Sequence, residues 1–473
     1  MTLSTPRKDP AALSEGEQAV VEAVQAALPQ SIADLGGLVR IPSVSWSAFD
    51  PAEVQRSADA VAGLLDGTGF FESVDVLRAP TPSGELGQPA VLASRPTRGD
   101  APTVLLYAHH DVQPPGRDED WDTPPFEPTV RGDRLYGRGA ADDKAGVMAH
   151  VAAVRAFVET GGAASDLGVV VFIEGEEEFG SASFAAFLEE NRDRLAADVI
   201  VVADSDNWDT STPSLTVSLR GNVTFRLTVS TLGHASHSGM YGGAAPDAML
   251  AAARLIDSFY DADGAVAVDG LTAHPMEVPE VTEERFAADA ALLEGVGSVG
   301  TGPVLERLWA KPALTVTGID APDVVNASNT LLPSVSLRVS CRVAPGQDAQ
   351  DAYEALAAHI RSHAPFGAHT EITEVSTGQP FLVDTSGWAV ALAEQAMADA
   401  WGASPKEVGV GGSIPFIADL VRVFPQAQIL VTGVEDPDTR AHSPNESLHL
   451  GVFKRAITTE ALLLHRLASG ARG

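Results

Sequence analysis

Short, unbroken apolar runs recur along this chain. Thr103–Tyr107 (TVLLY), Gly168–Ile173 (GVVVFI), Val199–Ala203 (VIVVA) and Gln428–Thr432 (QILVT) show no polar/apolar alternation. Such runs are typical of strands buried on both faces. Helical patterns lie between them. Over Lys144–Thr160, Val147, Val151, Val154 and Val158 fall on one stripe, and Ser183–Asn191 is a shorter helical candidate. Strands alternating with helices predict a mostly parallel sheet covered by helices.

The middle of the chain has a different period. In NVTFRLTV, Val223, Phe225, Leu227 and Val229 alternate with polar residues; in SVSLRVSCRVA, Val335, Leu337, Val339, Cys341 and Val343 do the same. Period-two alternation predicts an antiparallel sheet with one buried face. Amphipathic helices are expected at Ala245–Tyr260 and Asp348–His363. A chain of 473 residues is also too long for one core. The expected fold class is therefore α/β. A main domain spans 1–214 and 378–473, and an inserted α+β domain spans 215–377. The glycine-containing stretches LRGN and STGQP provide the crossings.

Composition narrows the function classes. A formal charge of −33 argues against nucleic acid and anionic membrane surfaces as partners. The single cysteine, Cys341, excludes an intrachain disulfide and fits a reducing compartment. It falls on the apolar face of its strand, so a buried structural role is expected. The opening segment MTLSTPRKDPAALSEGEQ lacks the apolar core of a signal peptide. No apolar run approaches the ~20 residues that span a bilayer. The expectation is a soluble cytoplasmic protein.

Polar clusters follow the ends of the buried strands. AHHDVQP supplies His109, His110 and Asp111, EGEEEFG supplies Glu177 and Glu178, and ADSDNW supplies Asp204 and Asp206. AHSPNES supplies His442, Asn445 and Glu446, and GRGAADDKAG supplies Asp142 and Asp143 ahead of the Lys144–Thr160 helix. Ligands of open α/β sheets bind at the carboxyl ends of the strands, so these clusters can converge. Imidazole and carboxylate without thiolate suit Zn²⁺, Mn²⁺ or Co²⁺. Several carboxylates share one site only when cations offset their repulsion. His150 and His359 sit within helical patterns and read as structural.

HHDVQP, GRGAADDKAG, EGEEEFGS, ADSDNW, HSGMYGG, GGSIP and AHSPNES, in this order, resemble the motif set of the co-catalytic zinc metallopeptidases. That family includes carnosinase-type cytosolic dipeptidases, acetylornithine deacetylase, aminoacylase and glutamate carboxypeptidases. The resemblance runs from about His109 to Glu446. HSGMYGG and GGSIP are most similar to the dipeptidase branch.

The resemblance implies two divalent metal ions, Zn²⁺ foremost, with Mn²⁺ or Co²⁺ as alternatives. His109 and Asp204 would hold one ion and Glu178 and His442 the other, with Asp142 bridging. Asp111 would orient the His109 imidazole. Glu177 would be the general base on the water that the ions activate. His109 is preferred to His110 because the family pattern is His-x-Asp. Asp204 is preferred to Asp206 because it directly follows its strand and fits the family spacing to Pro213. The Asp142–Asp143 peptide is implied to be cis. Glu177 and Glu178 must reach one site, whereas neighbours on a strand face opposite ways. A loop is therefore expected there, with Gly175 and Gly180 permitting its turns. Glu174 and Glu176 are expected to be non-catalytic.

Arg342 alternates with Cys341, so its guanidinium leaves the other strand face and can grip a substrate carboxylate. Gly412 and Ser413 of GGSIP offer N–H groups and a hydroxyl to the same carboxylate. The resemblance further implies that the inserted domain is a lid that dimerises, and that His237 reaches the partner's metal site as an oxyanion donor. His237 is preferred to His234 because it directly precedes SGMYGG. The function so implied is hydrolysis of dipeptides or short peptides with a free C-terminal carboxylate. The alternatives are an N-acyl amino acid deacylase and a non-catalytic metal-binding scaffold.

Overall fold

The structure is a computed structural model that describes residues 9–412 and 415–470. The chain divides into two compact units. The first runs to Val217 and takes up Val383–Val408 and the chain from Asp419; the second comprises Ser218–Leu382 and Gly409–Ala418. This differs from the expectation that everything after residue 377 returns to the first domain. Phe381 and Leu382 pair with Leu219 and Ser218, and the Arg220 side chain donates from Nε to the Gly411 carbonyl at 3.0 Å. Those contacts carry residues 378–382 and the Gly409–Ala418 segment into the second unit.

In the first unit, the four continuous apolar runs form the centre of the sheet. Gly168–Glu174, Thr103–His109, Val199–Ala203 and Gln428–Thr432 lie side by side in that order, all parallel. Ala90–Arg95 and Ser73–Leu77 extend one side antiparallel, and Ser214–Leu219 extends the other. Every residue of Gly168–Glu174 and of Val199–Ala203 is buried, which explains the missing alternation. The helix Lys144–Glu159 packs against Glu15–Val39 and Leu450–Ala468. It is buried at every position from Lys144 to Val154, so the valine stripe understates its enclosure. The shorter helical candidate is the helix Phe184–Glu190.

The second unit carries an antiparallel sheet in the order Ala313–Asp320, Ser334–Val343, Gly221–Ser230, His369–Gly378. Its register sets apolar residues opposite one another: Phe225 faces Val339, Leu227 faces Leu337 and Val229 faces Val335. All six are buried. A one-residue slip would turn that whole set to the other face, so the alternation fixes the register. The helices Ala248–Asp257 and Ala349–His363 cover this face with Leu255, Leu356 and Ile360. Each helix starts on an aspartate cap: Asp247 accepts from the N–H groups of Met249 and Leu250, Asp348 from those of Gln350 and Asp351. Cys341 lies in this core, where burial pushes its thiol up to about 12. No helix among the described residues is long and apolar enough to cross a membrane.

Candidate metal centre

The site is built at the carboxyl ends of the parallel strands. His109 ends the strand Thr103–His109, Asp204 follows Val199–Ala203, and Asp142 lies just ahead of the helix Lys144–Glu159. The Asp142–Asp143 peptide is cis. Glu177 and Glu178 sit in a single 3₁₀ turn, Glu177–Phe179, directly after the strand Gly168–Glu174. The chain leaves this turn through Gly180 at φ 93°. Gly175 acts differently from its expected role in turning the chain. A Cβ there would lie 2.2 Å from the Pro89 carbonyl oxygen, so glycine is required by close packing. His442 lies in the loop after Gln428–Thr432, which turns at Arg440, His442 and Asn445, all with φ near 60°.

Two groups of donor atoms result: His109 with Glu177 and Asp204, and Asp142 with Glu178 and His442. Within each group the donor atoms lie within 4.8 Å of one another. Asp142 spans the two groups. Its Oδ1 is 3.2 Å from His109 Nε2, and its Oδ2 is 2.9 Å from His442 Nε2. Glu178 Oε2 is 3.2 Å from the same His442 nitrogen, and Glu177 Oε2 is 3.9 Å from His109 Nε2. Asp206 stands apart, bridged through its backbone to Glu435. His110 is buried and turned away, with Nε2 2.8 Å from the Pro89 carbonyl.

The electrostatics are those of a cation site. Four carboxylates face two imidazoles. Burial pushes Asp204 up to about 7, with Asp142 and Glu178 adding repulsion. Burial likewise raises Glu177 well above the usual carboxylate range, with Asp204, Glu174 and Asp111 adding to it. Burial opposes ionisation of Asp142, yet its bonds to His109 and His442 hold it well below that range. Bonds to Asp142 and Glu178 lift His442 to about 10. Imidazole nitrogens and carboxylate oxygens with no thiolate nearby fit Zn²⁺, Mn²⁺ or Co²⁺.

Side chains behind the donors set their orientation. His109 Nδ1 is 3.1 Å from the Asp111 carbonyl and 3.4 Å from Asp111 Oδ1, which leaves Nε2 facing the site. Glu178 accepts from the Gln113 backbone at 3.2 Å and from Gln113 Nε2 at 2.6 Å. Glu446 is fully buried and accepts from the backbone N–H groups of Gly139, Ala141 and Asp142 and from Arg138 Nη1. One carboxylate thus ties the turn bearing Asp142 to the loop bearing His442. Glu174 accepts from the Tyr107 hydroxyl at 2.6 Å, and Glu176 accepts from the N–H groups of Gln88 and Ser183. Both serve to fix the acidic turn. Sequence reasoning missed the parts of Gln113 and Glu446, although both lie inside the singled-out clusters.

The remaining candidates lie in the second unit. Arg342 is half-buried on Ser334–Val343, paired with Ala313 on one side and Asn222 on the other. His237 is exposed, and its Nδ1 accepts from Gly239 N–H at 3.0 Å. It belongs to a two-stranded ribbon in which it pairs with Thr330. Gly412 is half-buried beside Gly411, and Ser413 lies outside the described residues.

Residues 105–466 match the peptidase family M20/M25/M40. The chain is 37% identical over 415 residues to the cysteinylglycine-S-conjugate dipeptidase of Corynebacterium striatum, covering 87% of this chain and 89% of that protein. It is 28% identical over 423 residues to the Beta-Ala-His dipeptidase of Homo sapiens, covering 84% of this chain and 82% of that one. The crystal structure of human carnosine dipeptidase 1 shares the fold with a TM-score of 0.76 at 24% identity, over 97% of this chain and 100% of that one. The strand-end donor groups and the family match over most of the sequence lead to one assignment: this chain belongs to peptidase family M20/M25/M40.

Proposed function

We propose that this chain is a two-metal dipeptidase that hydrolyses peptide bonds next to a free C-terminal carboxylate. The observation that carries this reading is the placement of Asp142, with one oxygen at each imidazole and Glu177 alongside. His109 and Asp204 would hold one ion and Glu178 and His442 the other, with Asp142 shared. Zn²⁺ is the first choice. Two bound divalent ions supply Lewis acidity, polarising the scissile carbonyl and acidifying water to a pKa of ~7.

Glu177 lies within the first donor group, yet we assign it the proton rather than an ion. Its carboxylate takes a proton from the attacking water and delivers it to the leaving amine. Glu178, the next residue, is spent on the metal. Arg342 and the Gly412–Ser413 segment hold the substrate carboxylate. The second unit acts as a lid and dimer interface, and His237 serves the partner's site. The single buried, reduced cysteine fits a cytoplasmic enzyme.

The test is a hydrolysis panel with Zn²⁺, Mn²⁺ or Co²⁺ added in turn. It includes Cys-Gly, S-conjugated Cys-Gly, β-Ala-His, tripeptides and N-acetyl amino acids. Metal-dependent cleavage of dipeptides above the other classes is expected. Preference for N-acetyl amino acids would make the chain a deacylase. No cleavage with any metal would make it a binding scaffold.

A further inference from the structure

The second unit contains a cavity of about 410 Å³, formed where residues 261–312 fold back over the edge strand Ala313–Asp320. That volume falls within the range of small-molecule sites, about 300–1,000 Å³. The excursion that builds it has little regular structure beyond the short helices Glu283–Asp289 and Val304–Trp309. Connections of such length are uncommon inside compact domains. None of the residues placed in the peptidase site lines the cavity.

The lining combines two chemistries. Val266, Leu271, Val304 and Leu314 provide apolar wall, and Arg220, Arg307 and Lys311 provide positive charge. In a chain with a formal charge of −33, three cations on one cavity are a local reversal. Two of the three are already compensated: Arg307 pairs with Glu283, and Lys311 lies 3.4 Å from Glu306. Arg220 is not. It is 7% exposed, and among the described residues its donors reach the carbonyls of Gly411, at 3.0 Å, and Lys311, at 3.3 Å. Among the described residues no carboxylate pairs with it. A buried guanidinium without a counter-ion is costly. Burial and the neighbouring Arg342 charge both work against its protonated form, lowering it to about 10. An apolar chamber with an uncompensated guanidinium in its wall is complementary to a molecule with an apolar body and one anionic end.

We propose that this cavity binds an amphipathic carboxylate, with the apolar body against Leu271, Val304 and Leu314 and the carboxylate on Arg220. No residue assigned to the hydrolytic reaction lines this cavity, so the proposal does not rest on that reading. Arg220 also holds Gly411, so the residue that would grip the ligand is the one that braces the Gly411–Gly412 segment.

The experiment is isothermal titration calorimetry of the metal-loaded protein with octanoate and, separately, with 1-octanol. Octanoate is expected to bind at least tenfold more tightly, as charge-assisted hydrogen bonding to a buried guanidinium requires. In Arg220→Gln the two affinities should converge to within about threefold, since the discriminating charge is gone. Arg220 also braces backbone, so a second variant is needed that leaves it intact. Ala273 lies exposed on the cavity lining, and Ala273→Trp adds bulk to that lining while keeping Arg220 itself. This variant should weaken both ligands at least tenfold while its thermal unfolding stays at the wild-type midpoint. Equal wild-type affinity for acid and alcohol, no octanoate binding at all, or octanoate binding unchanged in Ala273→Trp would each overturn the proposal. The last result would place any bound octanoate elsewhere, on the metal ions above all.

Discussion

Asp111 holds Glu177 by its backbone: Oδ1 of Asp111 accepts the Glu177 N–H at 3.1 Å. Its Oδ2 accepts the Glu178 N–H at 3.2 Å and the Ser45 hydroxyl at 2.7 Å. The residue that steers His109 therefore also anchors the acidic turn. Asp111→Asn must present an NH₂ group to one of those two N–H donors. It is expected to lower kcat or metal affinity ~10–100-fold, the usual effect of losing a metal ligand's supporting partner. Steady-state kinetics alongside metal content would decide it; wild-type values for both would remove Asp111 from this role.

Glu177→Gln should keep two metals per chain, because the assigned ligands are intact. Turnover should fall by ~10²–10⁴-fold, the typical contribution of a general base. Near wild-type kcat in a metal-replete variant would leave Glu177 without that function, and loss of one ion would make it a ligand, as its grouping with His109 and Asp204 also allows.

Asp142→Ala removes the carboxylate that faces both imidazoles, whereas His109→Ala removes one ligand of one ion. Elemental analysis after dialysis should therefore find less metal in Asp142→Ala than in His109→Ala. Two retained metals per chain in Asp142→Ala would contradict the shared position.

Glu446→Ala leaves Arg138 charged and buried, with three backbone N–H groups losing their acceptor. Breaking a buried pair from one side costs ~3–5 kcal/mol. Urea unfolding should show a loss of that order, with metal retention weakened in the folded variant. A change below ~0.5 kcal/mol, the level of an ordinary surface substitution, would contradict this reading.

Away from the site, Glu17 joins the first helix to Arg466 on the last, at 2.7 Å. Burial works against its charge, but hydrogen bonds from Ser14 and the Arg466 guanidinium outweigh it and hold the carboxyl at about 2, below its ordinary 4.5. A lowered folded-state value stabilises above the unfolded value and fades as pH falls toward the folded one. Glu17→Gln should therefore be less stable than wild type at neutral pH. The difference should shrink on acidification from about pH 4.5 toward pH 2. A difference independent of pH would mean that the charge of Glu17 contributes nothing.

Features with a local signal were legible in the sequence. Val199–Ala203 announced a doubly covered strand because every side chain meets another layer. Phe225 and Leu227 announced a one-sided sheet because every second side chain meets solvent. Most of the polar clusters were visible because they follow such a run, and the one bearing Asp142 because it precedes a helical pattern. The long-range partners were not visible. Nothing near Ser45, Gln113 or Glu446 in the sequence says that each will meet a carboxylate or backbone brought in by folding. The Gly409–Ala418 segment joined the second unit through Arg220, nearly two hundred residues away in sequence. The helix Glu15–Val39 did carry a local signal: Ser14 and Glu17 form a capping box at its start.

The strand Gln428–Thr432 lies inside the main sheet, between Val199–Ala203 and Ser214–Leu219, rather than at its edge. This position imposes an order on biosynthesis. Translation proceeds at about 5–20 residues per second, so Gln428–Thr432 leaves the ribosome on the order of ten seconds or more after Val199–Ala203. During that interval the nascent chain has His109, Asp142, Glu178 and Asp204 but lacks His442. The contiguous stretch Ser218–Leu382 can collapse in the meantime. The sheet that carries the metal centre is completed only when the late strand slots in beside Val199–Ala203.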